Sequence, residues 1–398
     1  MRSDNDAGSE QDTPLTVALN AIALLSPLTG IGRYVAELAA ALEKQGVRIR
    51  YFSGAHWSDR PPNLAAAAAA AGGWPGELLR RLGRQLPGAR RLSRRLKQRC
   101  FDRGMGEPRP ALYHDPNYLA YRFDGPTVIT AHDASWVRHP ETHPRERVRS
   151  MERMFPEALA RAQRIIVDSD FVAGEMHAIF GVPYARLRTV YLGVAPSFRP
   201  LPPAQTLALC QRHGLAHGRY VLALGTLEPR KNLGVLLRAY RNLAPGLARE
   251  FPLVIAGMQG WRHGEVDREI GALERAGLLR MLGRVAEDDL PALYAAAAVF
   301  VYPSIYEGFG LPPLEAMKSG VPVIVADSSS LPEVVGEAGK RFEAQDADAL
   351  AEILSGLLED GKLRQGMAAA GIARAAGFTW ERCAQQTRVV YAEAIATA

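Results

Sequence analysis

The chain has 398 residues, 47% hydrophobic and 23% charged, an ordinary globular composition with material for two or three domains. Its net charge of +6 is local: residues 80–99 hold nine Lys or Arg and no acid, and the remainder sets 39 basic against 42 acidic residues. No run approaches the roughly 18 apolar residues of a membrane span, residues 1–13 lack a signal-peptide core, and Cys100, Cys210 and Cys383 show neither a CxxC spacing nor an even-numbered framework. These features point away from a disulfide scaffold and support neither secretion nor a transmembrane anchor, and the expected location is the cytoplasm.

Apolar, β-branched runs predict strands at 15–21, 47–53, 111–114, 127–132, 164–168 and 187–191, and a second series at 220–225, 253–257, 278–283, 299–303 and 321–326. Helical-period segments separate them, the pattern of βαβ units and parallel sheets. Between the series, residues 192–205 are proline-bearing and aperiodic, as a domain linker would be. The expected fold is α/β, two Rossmann-like domains facing a central cleft, over 14–195 and 206–378. The alanines at 65–71 and the Gly/Pro stretch to 76 read as a surface loop, and no repeat of solenoid period is visible.

In chain order, TGIGRY sets Gly30 and Gly32 at a strand-to-helix junction where amide groups could face phosphate. Val35 stands where a dinucleotide fingerprint needs its third glycine, which disfavours an NAD enzyme. HDPN at 114–117 puts His114 in a rim loop that touches an acceptor or merely turns the chain. TAHDASW ends a strand with His132 and Asp133 at the sheet rim, where a histidine can bond a sugar hydroxyl. Asp168-Ser169-Asp170 has the spacing of a metal-binding D-x-D, but Asp170 stands where the following helix needs an N-cap, so no metal is expected there. GTLEPRKN delivers Arg230 and Lys231 to the carboxyl end of a strand, where open α/β sheets bind ligands. Two adjacent cations suit the charge of a departing diphosphate. SIYEGFGLPPLEAMKSGVPVI sets Glu307 and Glu315 around a Gly-Phe-Gly turn expected to open a helix, a site for phosphate with a carboxylate for sugar hydroxyls. No zinc spacing, G-x-S-x-G or Walker A sequence occurs.

Taken together, EGFGLPPLE, Arg230-Lys231, the Gly30/Gly32 loop and His132 resemble glycosyltransferase family 4 in order and spacing, over roughly residues 14–398. The resemblance implies the GT-B fold, with 380–398 a helix that crosses back to complete the first domain. It implies that Arg230 and Lys231 neutralise the leaving diphosphate, that Glu307 meets the donor sugar and that Glu315 holds the ribose. Gly32, with Gly30 beside it, would serve the phosphate, as would Phe309, Gly310 and Leu311, and His132 would orient the hexose. His114 and Asp133 are the expected acceptor contacts. Glu333 matches a further acidic position, but Ser328 to Ser330 replace the family's glycines, which puts donor contacts there in doubt. The implied reaction is retaining and metal-independent, with a nucleotide diphosphate-sugar as substrate and no cofactor. HDASWVRHPETHP is similar to bacterial O-antigen mannosyl- and rhamnosyltransferases, which favours a GDP-sugar and a glycan or glycolipid acceptor. A nucleotide-sugar epimerase on the same fold is the rival reading.

Residues 76–101 are expected to form a broken amphipathic helix resting on an anionic membrane. Leu78, Leu79, Leu82 and Leu86 share a face before Pro87, and Leu92 and Leu96 continue it. The competing reading packs those leucines on their own domain. The segment lacks the aromatic interleaving of a nucleic-acid surface, so nucleic acid is not an expected partner.

Overall fold

The computed structural model describes residues 14–25, 30–62, 89–106, 109–258 and 264–398. The alanine run and residues 76–88 of the basic segment lie outside them. The first sheet is built from β1 (Thr16–Asn20), β2 (Arg48–Phe52), β3 (Trp57–Ser58), β4 (Leu112–Asp115), β5 (Thr127–Ala131), β6 (Arg164–Val167) and β7 (Leu187–Thr189). Its order is β3-β2-β1-β4-β5-β6-β7, parallel except for the β2–β3 pair. The second contains β8 (Val221–Leu224), β9 (Leu253–Ala256), β10 (Leu279–Gly283), β11 (Val299–Tyr302), β12 (Val323–Ala326) and β13 (Lys340–Phe342), ordered β10-β9-β8-β11-β12-β13 and wholly parallel.

Helices cover both faces, so central strands such as β5, TVITA, and β11, VFVY, are buried along their whole length. Strand order reverses between β1 and β4 and again between β8 and β11, and the segments that follow β1 and β11 meet across the domains, where Arg33 donates to Glu315. This is the GT-B arrangement. The edge strands β3 and β13 were not anticipated, being two and three residues long and partly polar.

The stretch 192–205 is irregular only to Pro202, where a helix over Pro203–His213 begins on a proline suited to its first turn. At the other end, the helix Trp380–Ala396 packs on the Gly30–Lys44 helix and on β4, β5 and β6 of the first sheet. Thr379 caps it, and Glu393 pairs with Arg164 at 2.9 Å and Arg188 at 2.8 Å. Gly193 passes directly beneath its start; a Cβ there would lie 2.3 Å from the Trp380 amide nitrogen.

The described part of the basic segment is a helix over Ala89–Arg103. Phe101 anchors it, fully buried between Phe52, Trp57, Tyr113 and Tyr121 with ring centroids 4.9–5.4 Å away. Such an aromatic contributes about 2–3 kcal/mol through burial, plus its edge-to-face contacts. Arg94 donates to the Ala120 carbonyl at 2.9 Å, and Gln98 to that of Arg122 at 2.9 Å. Leu92 and Leu96, one turn apart, are 59% and 50% exposed. The alternative in which these two pack on their own domain is therefore not what the structure shows.

Candidate active site

The cations of the second domain converge on one carboxylate. After β8 the chain turns at Pro229–Lys231, Asn232 takes a left-handed conformation (φ 53°), and the Leu233–Arg241 helix begins. Arg230 and Lys231 thereby reach the loop after β11. Glu307 Oε1 accepts from the Lys231 ammonium, from Tyr302 at 2.9 Å and from Ser304 at 2.5 Å, while Oε2 accepts from Arg230 Nη1 at 3.3 Å. Arg230 also donates to Glu228 Oε1 at 2.7 Å and to the Tyr306 carbonyl at 2.6 Å. Burial pushes the Glu307 carboxyl up, but Lys231 and Arg230 outweigh it and hold it at about 2. Lys231 is pressed below its ordinary value by burial, against the pull of Glu307. Two cations and two carboxylates thus form an almost neutral cluster, its cations aimed and its charge ready to be tipped by an anion.

Ser328, Ser329 and Ser330 brace the loop that carries Glu307. Ser328 donates to the Ile305 carbonyl, Ser329 Oγ accepts the Glu307 amide at 2.9 Å, and Ser330 donates to the carbonyls of Glu307 and Phe309 at 2.9 and 2.7 Å. The serines that stand where the family has glycines are thus internal scaffolding.

Gly310 (φ 119°) turns the chain into the Leu311–Lys318 helix, and Phe309 before it is buried. Pro312 and Pro313 have no amide hydrogen, so of the first three helical residues only Leu311 keeps one. The anion-binding capacity expected of this helix start is accordingly narrowed to Gly310 and Leu311. Glu315, on the following turn, is buried and already partnered: it accepts from Tyr294 at 2.9 Å and from the guanidinium of Arg33, which also donates to Glu287 at 3.2 Å. Arg33 belongs to the first turn of the Gly30–Lys44 helix, so this contact crosses the cleft. Gly30 and Gly32 lie within that same turn, inside the helix rather than in the loop before it.

The first-domain wall departs further from expectation. His132 turns inward, with Nδ1 2.7 Å from Asp168 Oδ2 and Nε2 2.9 Å from the Pro116 carbonyl, so neither ring nitrogen faces the cleft. Asp170 is not the N-cap of the Asp170–Phe180 helix; Ser169 is, its Oγ accepting from Val172 at 3.2 Å. Asp133 Oδ1 accepts from Tyr118 at 3.2 Å and from the Ser135 amide at 3.1 Å, which orders the rim loop. His114 is not in a rim loop. It is fully buried on β4, between Tyr391 at 2.8 Å and Thr130 at 2.9 Å, and burial presses its imidazole down to about 3. Its observed contacts tie the C-terminal helix to the sheet. No group of three His, Cys, Asp or Glu side chains that could hold a metal ion occurs among the described residues.

The crevice is shut by hydrogen bonds between its walls. Ser169 donates to the Gly308 carbonyl at 2.7 Å, Tyr306 accepts the Ala134 amide at 2.9 Å, and Glu333 takes the Asp170 and Phe171 amides at 2.8 and 3.2 Å. Gly308 makes this approach possible, since a Cβ there would lie 1.7 Å from the His132 carbonyl oxygen. Arg33, Tyr294, Tyr302 and Tyr306 are contributors that the sequence reading missed, and Asp168, weighed there only as part of a D-x-D, proves to be the partner of His132. Tyr302 closes an apolar strand five residues before Glu307, and Arg33 and Tyr306 lie inside the TGIGRY and SIYEGFG motifs, so these three had a local signal.

Residues 28–198 match the family model described as Glycosyltransferase Family 4, and residues 211–374 that of Glycosyl transferases group 1. O-antigen chain mannosyltransferase B of Escherichia coli is 40% identical over 368 residues, 92% of this chain and 96% of that one. Among solved structures, sucrose-phosphate synthase from Thermosynechococcus elongatus superposes with a TM-score of 0.73 at 22% identity, covering 96% of this chain and all of that one. Anabaena HepE in complex with UDP and glucose does so with a TM-score of 0.66 at 17% identity, over 95% and 99% of the two chains. The fold, the cation cluster at the mouth of the second sheet and this agreement along nearly the whole length lead to one assignment: the chain belongs to glycosyltransferase family 4.

Proposed function

We propose that this glycosyltransferase moves a hexose, mannose or a rhamnose-like sugar, from a GDP-sugar to a polysaccharide or lipid-linked glycan of the O-antigen kind, with retention of configuration. The observation that carries the reading is the Arg230–Lys231–Glu307 cluster in a chain 40% identical to an O-antigen mannosyltransferase. Breaking the anomeric C–O bond leaves its electron pair on a phosphate oxygen. Arg230 and Lys231 meet that charge already oriented by Glu228 and Glu307, so little reorganisation is left for the reaction itself. The acceptor hydroxyl attacks the same face of the sugar, and its proton passes to the departing phosphate oxygen, which balances the step without a protein nucleophile. Side-chain cations and the Gly310–Leu311 amides take the part a metal plays in D-x-D enzymes, and no cofactor is needed. Glu315 is the ribose ligand, and Arg33 must yield it when the donor enters.

The acceptor reading extends to the membrane. No described helix is long and apolar enough to cross one. Leu92 and Leu96 stand exposed on a helix whose Arg95 and Arg99 are exposed too, a surface suited to lying on anionic lipid at the inner face of the cytoplasmic membrane. Each basic residue near such a surface contributes about 1 kcal/mol at low salt.

The test is transfer from GDP-mannose to a lipid-linked glycan in EDTA, with the product anomer read by NMR. The expected product keeps the donor's anomeric configuration. Conversion of the GDP-sugar to an isomer without acceptor, or activity lost in EDTA and restored by manganese, would overturn the reading.

A further inference from the structure

β5 and β6 are paired with Ala131 opposite Val167, so the next residues, His132 and Asp168, emerge side by side at the carboxyl edge. Both nitrogens of the imidazole face oxygen, Asp168 Oδ2 at 2.7 Å and the Pro116 carbonyl at 2.9 Å. A carbonyl has no hydrogen to give, so Nε2 donates there. If Nδ1 and the carboxylate were both bare, two lone pairs would face each other at 2.7 Å in a buried place. Holding a proton between them is far less costly. The pair therefore carries one proton more than a neutral histidine beside an ionised aspartate.

We propose that Asp168 is a positioning residue for glycosyl transfer, which keeps His132 doubly protonated and turned into its domain and thereby sets the rim on which the Gly308 turn, with Glu307 next to it, closes. The inference rests on the reading of the Glu307 cluster as the transfer site. The rim is built from the two residue pairs His132–Asp133 and Asp168–Ser169. The His132 carbonyl lies under Gly308, and Ser169 donates to the Gly308 carbonyl at 2.7 Å. Asp168 Oδ1 is buried with no hydrogen-bond partner among the described residues, so within them the histidine is this carboxylate's partner.

The neighbours agree with a retained proton. Tyr34 and Tyr118 set their ring edges against the imidazole at 5.0 and 5.6 Å, and burial keeps both hydroxyls neutral. Across the sheet His114 is held neutral by burial, and on the C-terminal helix the Cys383 thiol and Tyr391 hydroxyl are pushed upward. The Arg147 charge, on the Arg145–Arg161 helix, opposes the rise of the Tyr118 hydroxyl without overcoming it. Asp133 acts on the imidazole as Asp168 does, and its negative charge favours the proton. Burial alone would press the imidazole down, but the aspartates outweigh it, and Asp168 is itself raised by burial.

Asp168→Asn nearly preserves shape, offers Nδ1 an amide donor and removes the charge. In the wild type, ring 15N shifts of His132, assigned with His132→Gln, should show two protonated nitrogens at neutral pH; in Asp168→Asn one should be bare. The variant's kcat should fall about tenfold, with the donor KM little changed. Its rate should be lost as pH rises through a histidine ionisation moved downward from that of the wild type, because burial is no longer opposed by Asp168, and Asp168→Glu should recover part of the rate. If the Asn variant does not fold, the wild-type shifts decide alone. A bare ring nitrogen in the wild type at neutral pH, or an Asn variant with the wild-type pH profile, would overturn the proposal. The NMR arm stands even if the transfer reaction is of another kind.

Discussion

Replacing Arg33 by Met should loosen the empty enzyme and tighten its hold on nucleotide. The guanidinium ties the first domain to Glu315 and Glu287 of the second, over the Phe198 ring at 5.8 Å. The Glu287 side chain is 39% exposed, so that pair contributes about 0.2–1 kcal/mol at most. The Glu315 side chain is 4% exposed, and a charged hydrogen bond to it is worth about 1.5–3 kcal/mol. Methionine keeps the packing of the stem. Glu315 retains Tyr294, and its carboxyl, already raised by burial, takes up a proton more readily once Arg33 is gone. The lower figure, about 1.5 kcal/mol, is therefore the appropriate one. A ribose competing for Glu315 no longer has to displace the guanidinium, and the Kd for GDP should fall about tenfold. Calorimetry reads that change, and small-angle scattering of the ligand-free protein should show expansion. Glu315→Gln should lose GDP in either background. Weaker GDP binding in Arg33→Met would refute the reasoning and make Arg33 a ligand of the diphosphate.

Lys231→Ala and Arg230→Ala should each lower kcat about a hundredfold, and near-normal turnover in the double variant would sink their assignment. Glu307 has its carboxyl held at about 2 against an ordinary 4.5, so it stabilises the fold above the ordinary value and that support is lost as pH falls toward 2; Lys231→Met should flatten this acid limb in melting curves. Tyr391→Phe leaves His114 Nδ1 without its partner and should cost about 1 kcal/mol in urea titrations. With the folded His114 pressed to about 3, the unfolded chain binds the extra proton, so this residue should weaken the fold as pH drops below 6.5. Leu92→Asp with Leu96→Asp should abolish sedimentation with anionic vesicles; wild-type binding that is equal on neutral vesicles would remove the electrostatic membrane reading.

The two sheets could be read from the sequence because parallel strands covered on both faces are continuous apolar runs, as VFVY at β11 and VIVA at β12 are. Trp57–Ser58 and Lys340–Phe342 could not, since two or three partly exposed edge residues carry no period. Arg230, Lys231, Glu307 and Glu315 were legible because loops at strand ends concentrate charge locally. Their partners were not: Arg33 and Glu315 are 282 residues apart, and no window of sequence joins them. The inward turn of His132 depends on Asp168 arriving beside it through strand register. His114 did carry a warning, because a residue between Tyr113 and Asp115 on a strand covered on both sides has nowhere exposed to point.

The C-terminal helix has a consequence for how the molecule is born. The polypeptide passes between the domains twice, once on each side of the second domain, and the two passages touch where Val194 donates to the Phe378 carbonyl at 3.2 Å and Gly193 underlies Trp380. The first sheet therefore keeps part of one face bare on the ribosome until synthesis has passed Ala396, and His114 waits that long for Tyr391. Folding cannot be strictly vectorial. The first domain made should be the last completed, and a chain arrested anywhere in the second domain would expose an apolar strip for chaperones to hold.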